Sequence, residues 1–493
     1  MTSKVNPKLE IFTCKQSLHM KVVKNGVRAL GLLVSEVEPT PRPSPRTLAA
    51  PSATAAPSAT AAAVAGRTIW HLNTTATGGG VAELLDRSIG LHNDAGLRTR
   101  WLVLSGEPDF FAVTKRLHHR LHGSPDPGGP LGPAERKTYE TVTQRQAEEV
   151  MTWVTAGDVC VLHDPQTLGL APLLAAGGLC VAWRCHIGTA AHSETVRETW
   201  QFLEPYLHAP SRCGFSVQGY APRHLEQQEG KVVVLRPSID PAAAKNQPLT
   251  DSAVHQLLKA IGLEASPDSG GPDERAAQVV QDQPLPAGAP VLLQVSRWDP
   301  LKDMAGVLRA FSTHIAPARA DAHLVLAGPE PADIPDDPEG AEILRRLRRT
   351  WAATDPAVRQ RIHLVTLSLK DTETNAQIVN ALQHRATVVA QKSLQEGFGL
   401  TVTEAMWKGR AIVASAVGGI PAQIRDEREG LLIRDPRDLQ AFGQAVVRLL
   451  SDPQLRQRLG TAARRRCAEH FLIDREFMDY CALYDSLVPR HLP

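Results

Sequence analysis

Two glutamates stand eight positions apart in QEGFGLTVTEAMWKG, residues 395–409, around a glycine-rich turn. Carboxylates suit paired recognition of sugar hydroxyls, because each oxygen can accept more than one hydrogen bond. Gly397 and Gly399 favour a bent approach, which places Glu396 on a loop and Glu404 in the second turn of the helix that follows. Spacing alone is equally compatible with an acidic loop followed by a charge on a solvated helix face. SRWDPLKD, residues 296–303, follows an apolar run and carries Arg297 and Lys302. A guanidinium fork and a compact ammonium on one loop can together neutralise a diphosphate, although exposed Arg and Lys are more often solvated surface groups.

Other candidates lie upstream. TTATGGGVAE, residues 74–83, separates a strand-like run from a helix-like one, so Gly79 and Gly80 could present backbone N–H groups to phosphate or a sugar oxygen. His186 in AWRCHIG could bond a hexose hydroxyl or a backbone carbonyl, or could be a packed histidine. Asp164 in LHDPQ can accept from acceptor hydroxyls or serve as a turn residue before Pro165. Gln166 and Arg184 could add donors to the same pocket. Neither GxGxxG nor GxxxxGK[ST] is present at the glycine turn, which removes the main support for a dinucleotide hydride carrier or a P-loop kinase.

Repeated alternation of apolar strand-like runs with helical periodicity positions these residues. RTIWHLN, RTRWLVLSG, GDVCVLHD, GLCVAWRCH and KVVVLRPS make a first set. APVLLQVSRWD, AHLVLAGPE, RIHLVTLS, ATVVAQKS, GRAIVASAVGG and GLLIRD make a second. The class is therefore α/β, with two consecutive Rossmann-like, mainly parallel sheets facing an interdomain cleft. The expected boundaries are a small attachment over 1–36, a low-complexity linker with repeated PSATAA over 37–66, and a first domain with its crossing over 67–288. A second domain then covers 289–451, and C-terminal helices over 452–493 return to the first domain.

At 493 residues with a formal charge of +2, the chain can bury a large interior and shows no basic surplus for nucleic acid. No stretch reaches a membrane span, and seven scattered cysteines form neither a disulfide framework nor a CxxC metal pair. A cytoplasmic protein is expected, with no metal-ligating set.

Beyond these features, the chain resembles the retaining family 4 glycosyltransferases of GT-B fold over about residues 67–487. The carrying pattern is the pair Glu396 and Glu404 separated by seven residues, with Arg297 and Lys302 matching the diphosphate contacts. HLNTTATGGGVAELL, VLHDPQTLGL, VAWRCHIG, WQFLEPYL and RPSIDPAAAKN are similar to trehalose-forming synthases and related trehalose phosphorylases. The resemblance implies catalysis by His186, Arg297, Lys302 and Glu396. It implies donor binding by Gly79, Gly80, Arg297, Lys302, Glu396, Gly397, Phe398, Gly399, Leu400 and Glu404, and acceptor binding by Asp164, Gln166 and Arg184.

The implied reaction forms an α,α-1,1 bond between glucose and the glucose of a nucleoside diphosphate, UDP or ADP. Phosphorolysis of trehalose or transfer to another acceptor are the alternatives. No tightly bound cofactor or strict metal requirement is expected. Partners are expected to be small-molecule sugars, without nucleic acid or membrane, and a homodimer stays open. Gly188 departs from the likeness, which leads to an acid there, and bears on the acceptor. As exposed charges, Arg297 and Lys302 are both expected to tolerate alanine with little loss of stability.

Overall fold

The structure is a computed structural model that describes residues 33–39, 57–76, 80–124, 126, 128–191, 193–266, 273–334 and 338–488. Two seven-stranded sheets carry it. The first comprises β1 (Val34–Val37), β2 (Ile69–Asn73), β3 (Thr99–Leu104), β4 (Val159–His163), β5 (Cys180–Cys185), β6 (Arg212–Phe215) and β7 (Val232–Val234). Their spatial order is β1-β3-β2-β4-β5-β6-β7. The second comprises β8 (Ala277–Val280), β9 (Val291–Val295), β10 (His323–Pro329), β11 (Ile362–Leu367), β12 (Val388–Gln391), β13 (Ala411–Ser415) and β14 (Leu431–Ile433). These lie in the order β14-β13-β12-β9-β10-β11-β8.

All neighbouring strands run parallel except β1 on β3 and β8 on β11, so each sheet has one antiparallel edge. Every residue of β2, β4, β12 and β13 is buried, as expected for strands covered by helices on both faces. The two facing Rossmann-like domains expected from the alternation are thus present. Their catalytically interesting loops leave the carboxyl ends of β2, β4, β5, β9, β12 and β13, where open α/β sheets bind ligands.

Three sequence expectations change. β8 lies before residue 289 yet pairs with β11, so the second sheet begins upstream of the expected 288/289 boundary. AQVV is short and half-exposed between polar, proline- and glycine-rich segments, which hides it from periodicity. β1 is an added edge of the first sheet, its Leu33 and Val34 amides donating to the Glu149 carboxylate at 3.0 and 3.2 Å. Within the stretch read as linker, Ser58–Ala63 is helical. Thr60 and Val64 are buried there, and the Thr60 hydroxyl donates to Asp485 at 3.1 Å. Alanine-rich sequence has the propensity for that helix once a partner covers one face.

The chain passes between domains twice, and the passages touch. Ile239 and Leu472 form a parallel bridge, with the Ile239 amide on the Phe471 carbonyl at 3.0 Å and the Ile473 amide on the Ile239 carbonyl at 3.1 Å. Before this bridge the helix Pro453–His470 packs on the second domain. After it, the helix Ile473–Leu487 packs on the first, burying Phe477, Tyr480, Tyr484 and Leu487 against Ile69, Val159, Val161 and Leu235. Among the described residues no helix is long and apolar enough to cross a membrane.

Phe477 is 2% exposed in this contact. Phe477→Ala should therefore lower the unfolding free energy by about 3–5 kcal/mol, the usual cost of removing a buried phenylalanine. Denaturant titration checks this, and a change below about 1 kcal/mol would show that the returning helix is not docked as described.

Candidate active site

The loop after β9 contains Arg297 and ends in the short turn Pro300–Lys302. Asp303 adopts φ 45° and caps the next helix, its carboxylate accepting from the Gly306 amide at 3.0 Å. Gln294 ties this loop to the one after β12: its amide nitrogen donates to the Lys302 carbonyl at 2.7 Å, while its oxygen accepts from the Lys392 amide at 2.9 Å. A second tie runs from the Leu394 amide to the Leu301 carbonyl at 2.7 Å. Lys392, wholly buried, holds the Asp303 carboxylate from below.

These braces bring Lys302 to Glu396. The ammonium lies 2.7 Å from each carboxylate oxygen, and the Ser393 hydroxyl and Gln391 amide add bonds of 3.0 and 3.2 Å to one of them. Burial would raise the Glu396 carboxyl, but Lys302 and Ser393 outweigh it and leave it below its usual value. Arg297 is more open, with its side chain 45% exposed and an Asp299 oxygen 3.8 Å away.

Glycine is required where the Glu396 turn meets the loop after β13. A Cβ on Gly418, whose φ is +55°, would lie 1.6 Å from the Glu396 carbonyl oxygen. The Gly419 amide donates to the Gly397 carbonyl at 3.0 Å. Gly399 then turns the chain at φ +88° into the helix Leu400–Trp407. Phe398 is buried against Phe471 of the returning passage.

Glu404 faces inward on that helix, 7% exposed, so the solvated-face reading does not apply. The Gln383 amide donates to one oxygen at 2.7 Å, and Lys245 Nζ lies 3.7 Å from the other. Lys245 also bonds both oxygens of Glu83 at 2.8 and 2.9 Å. Burial would lower the Lys245 ammonium, but Glu83 and Glu404 override it and raise it above its usual value. Lys245 thus links the first-domain helix Gly80–Asp94 to the second domain's Glu404. The four-carbon side chain of Lys245 supplies that bridge.

On the first-domain side, a Cβ added to Gly80 would stand 3.8 Å from Leu400, so these elements face each other across the cleft. Gly79 lies outside the described residues. The His186 carbonyl and the His122 ring approach a Cβ built on Gly397 to 3.4 and 3.5 Å. His122 follows the helix Pro108–Leu121, and its Nδ1 is buried without a partner among the described residues. Burial first, then Lys302, pulls its pKa down to about 4, so the ring is neutral beside the ion pair. Nothing in RLHHRLHG separates this histidine from its neighbours; only the opposed domains single it out.

Asp164 adopts φ 62°, and one carboxylate oxygen accepts from the His186 amide at 2.7 Å. Burial raises its pKa to about 6. Gln166, on the same short helix, keeps a buried oxygen with no partner among the described residues. Arg184 is not brought to this group. It is 1% exposed and directs its donors to Ser216, the Leu235 carbonyl and the Cys185 carbonyl, because β6 and the turn after β7 close over its side chain. At Gly188, a Cβ would lie 2.7 Å from the Tyr220 ring, whose hydroxyl donates to the Gly397 carbonyl at 2.8 Å. Tyr220, unmarked in the sequence reading, fills the space an acidic side chain would need. Among the described residues, no group of three or more His, Cys, Asp or Glu side chains could hold a metal ion.

Comparison with known proteins gives this arrangement a lineage. Residues 71–222 match the family described as "Trehalose synthase, N-terminal domain", and residues 289–452 match "Glycosyl transferases group 1". A trehalose synthase of Thermococcus litoralis is 33% identical, with 84% of this chain and 90% of that protein aligned. The chain belongs to the trehalose synthase family. It is thereby a retaining glycosyltransferase of GT-B fold, with a family 4-like transferase domain. The trehalose synthase of Rubrobacter xylanophilus is also 33% identical, over 86% of this chain and 91% of its own length. A trehalose phosphorylase of Grifola frondosa is 23% identical over 81% of this chain but only 54% of its own. A trehalose 6-phosphate synthase structure from Burkholderia multivorans superposes with TM-score 0.63 at 17% identity, covering 85% of this chain and 98% of that one. That likeness concerns fold alone.

Within this family scaffold, Lys302 is a paired, largely buried cation, which corrects the expectation that it resembles Arg297. Lys302→Ala leaves the Glu396 carboxylate uncompensated and should cost about 3 kcal/mol of stability, whereas Arg297→Ala should cost below about 1 kcal/mol. Adding Glu396→Gln to Lys302→Ala should recover most of the loss. Thermal and urea unfolding read these differences, and equal small effects from both single variants would contradict the pairing. Because the Glu396 pKa is depressed on folding, its contribution is fully present above the unfolded value of about 4.3. The stability difference between wild type and Glu396→Gln should stay constant above that pH and shrink as pH falls through the folded pKa.

Proposed function

We propose that this enzyme transfers glucose from a nucleoside diphosphate glucose to glucose, with retention, forming the α,α-1,1 bond of trehalose. The observation that carries the reading is the Lys302 ammonium held 2.7 Å from both Glu396 oxygens in a turn that meets first-domain residues across the cleft. One cation and one hydroxyl-binding acid thereby sit a single hydrogen bond apart, as a leaving diphosphate and its sugar require.

In this reading, negative charge growing on the departing diphosphate meets Lys302, the open Arg297 fork, and backbone amides of Gly397–Leu400 and Gly80 at two opposed helix starts. Donors already oriented in a water-poor cleft stabilise that charge more than they stabilise the bound ground state. Glu396 and His186 hold hexose hydroxyls. Glu404, steadied by Gln383 and Lys245, accepts from ribose hydroxyls. The acceptor enters beside Asp164, Gln166 and Tyr220, attacks the anomeric carbon from the face the diphosphate leaves, and gives its hydroxyl proton to the departing phosphate oxygen. The phosphate remains on that face, so configuration is retained without a covalent glycosyl carboxylate. The family relationship and the closeness of Glu396 to the phosphate-side cation, rather than to an opposite face, support this route.

The test is product analysis after incubation with UDP-, ADP- or GDP-glucose and glucose, glucose 6-phosphate or inorganic phosphate. Release of nucleoside diphosphate dependent on glucose, with a nonreducing disaccharide carrying two α-anomeric carbons, is expected. Turnover confined to trehalose and phosphate would replace the reading by phosphorolysis. Glu404→Ala should raise the donor KM roughly 10- to 100-fold, as expected for loss of ~1.5–3 kcal/mol from hydrogen bonds to a charged group. An unchanged donor KM would remove Glu404 from the ribose site.

A further inference from the structure

His186 is the end of a buried row of hydrogen-bonding rings. Its Nε2 lies 2.9 Å from Nδ1 of His163, and His163 Nε2 lies 2.9 Å from Nδ1 of His71. His71 Nε2 reaches the Tyr484 hydroxyl at 3.0 Å, and that hydroxyl lies 3.3 Å from His92 Nδ1. The row runs from just past β5 through the last residue of β4 to the middle of β2, and ends on the returning helix Ile473–Leu487 and the helix Gly80–Asp94. His71, His92 and His163 are 0–1% exposed, whereas His186 keeps 8% and is the cleft end.

Burial first, then neighbouring imidazoles and Arg184, hold His71, His163 and His186 well below their usual pKa, and burial does the same for His92. A neutral imidazole has one N–H and one lone pair, so each bond in the row fixes the proton position in the next. Apart from an arrangement in which Tyr484 accepts from both neighbouring rings and its own buried O–H is left with no acceptor in the row, two arrangements satisfy all four bonds. In one, every proton points from His186 toward His92, leaving the buried His92 Nε2 as an N–H. In the other, every proton points toward His186, leaving His92 Nε2 as a lone pair. His92 Nε2 has no partner among the described residues, and a buried orphan N–H is the rarer defect.

We infer that Tyr484, His71 and His163 are positioning residues that hold His186 in the Nδ1–H tautomer, ready to donate to a hydroxyl of the transferred sugar. This deepens the proposed function and rests on its placement of His186 at the sugar. Docking of the C-terminal helix thereby sets a proton position in the cleft three hydrogen bonds away.

The test uses the full chain labelled with ¹⁵N-histidine, with His186 assigned by the signal lost in His186→Ala. Two-bond ¹H–¹⁵N correlation should show wild-type His186 protonated at Nδ1 and bare at Nε2. His163→Leu removes the donor that faces His186 Nε2 and should move population toward Nε2–H and lower kcat roughly tenfold, the scale of one hydrogen bond, with donor KM little changed. His163→Phe, closer in shape to the imidazole, supplies the same interruption if His163→Leu folds poorly. A purely structural role would lower the melting temperature without altering the His186 tautomer. An Nε2–H tautomer in wild type, or an unchanged tautomer in both interrupted variants, overturns the inference. Normal turnover in His186→Ala would refute the sugar-facing role and the catalytic consequence together. That outcome is distinguishable because the nitrogen shifts report the tautomer whatever the activity.

Discussion

Holding a lysine against a glutamate at the edge of the interdomain cleft requires that both side chains be fixed by the loops that carry them. Lys302 and Glu396 come from loops after different strands, β9 and β12, and Gln294 on β9 joins them by bonding to both loops. Beneath them, the buried Lys392 and Asp303 form a second ion pair that sets the start of the next helix. The carboxylate is therefore oriented by groups that have no need to move. An ion pair in such a place is weak evidence for stability in itself, since desolvation opposes it. In the proposed reaction it serves as pre-organisation, with the ammonium held where negative charge would develop on the leaving diphosphate.

Closure of the cleft depends on contacts that the two sheets alone could not make. Tyr220 reaches from the first domain to the Gly397 carbonyl, Lys245 spans Glu83 and Glu404, and His122 sits over the Glu396 turn. The paired passages at Ile239 and Leu472 add a backbone link between the domains. Glycines 397, 399, 418 and 419 let the backbones come within van der Waals range at the Glu396 turn. The steric consequence is plain at Gly418, where any side chain would coincide with the Glu396 carbonyl.

The first domain contributes a different kind of order. Its row of neutral imidazoles runs through the buried interior of the first sheet, and a polar row inside such a core is tolerated because nearly every member is bonded. Asp164 holds the backbone of the last ring, and Arg184 braces the strands behind it. A side chain expected at the sugar thus serves the frame instead.

By itself the sequence determined the alternation of strand and helix, and with it the two parallel sheets and the strand ends at which ligands bind. Hydrophobic periodicity is a local property of each segment, so β2, β4, β9 and β12 and the loops carrying His186, Arg297, Lys302 and Glu396 were legible. It missed β8 and the helix Ser58–Ala63, whose burial depends on partners far along the chain. Only the tertiary structure decided that Lys302 pairs with Glu396, that Arg184 faces inward, and that Tyr220 occupies the space beside Gly188. The same holds for four histidines, separated in sequence yet joined in one row with Tyr484. Residue type and spacing fix what a side chain can do. Which partner it meets is set by the packing of elements distant in the chain, and that packing determines its charge, its proton and its reach.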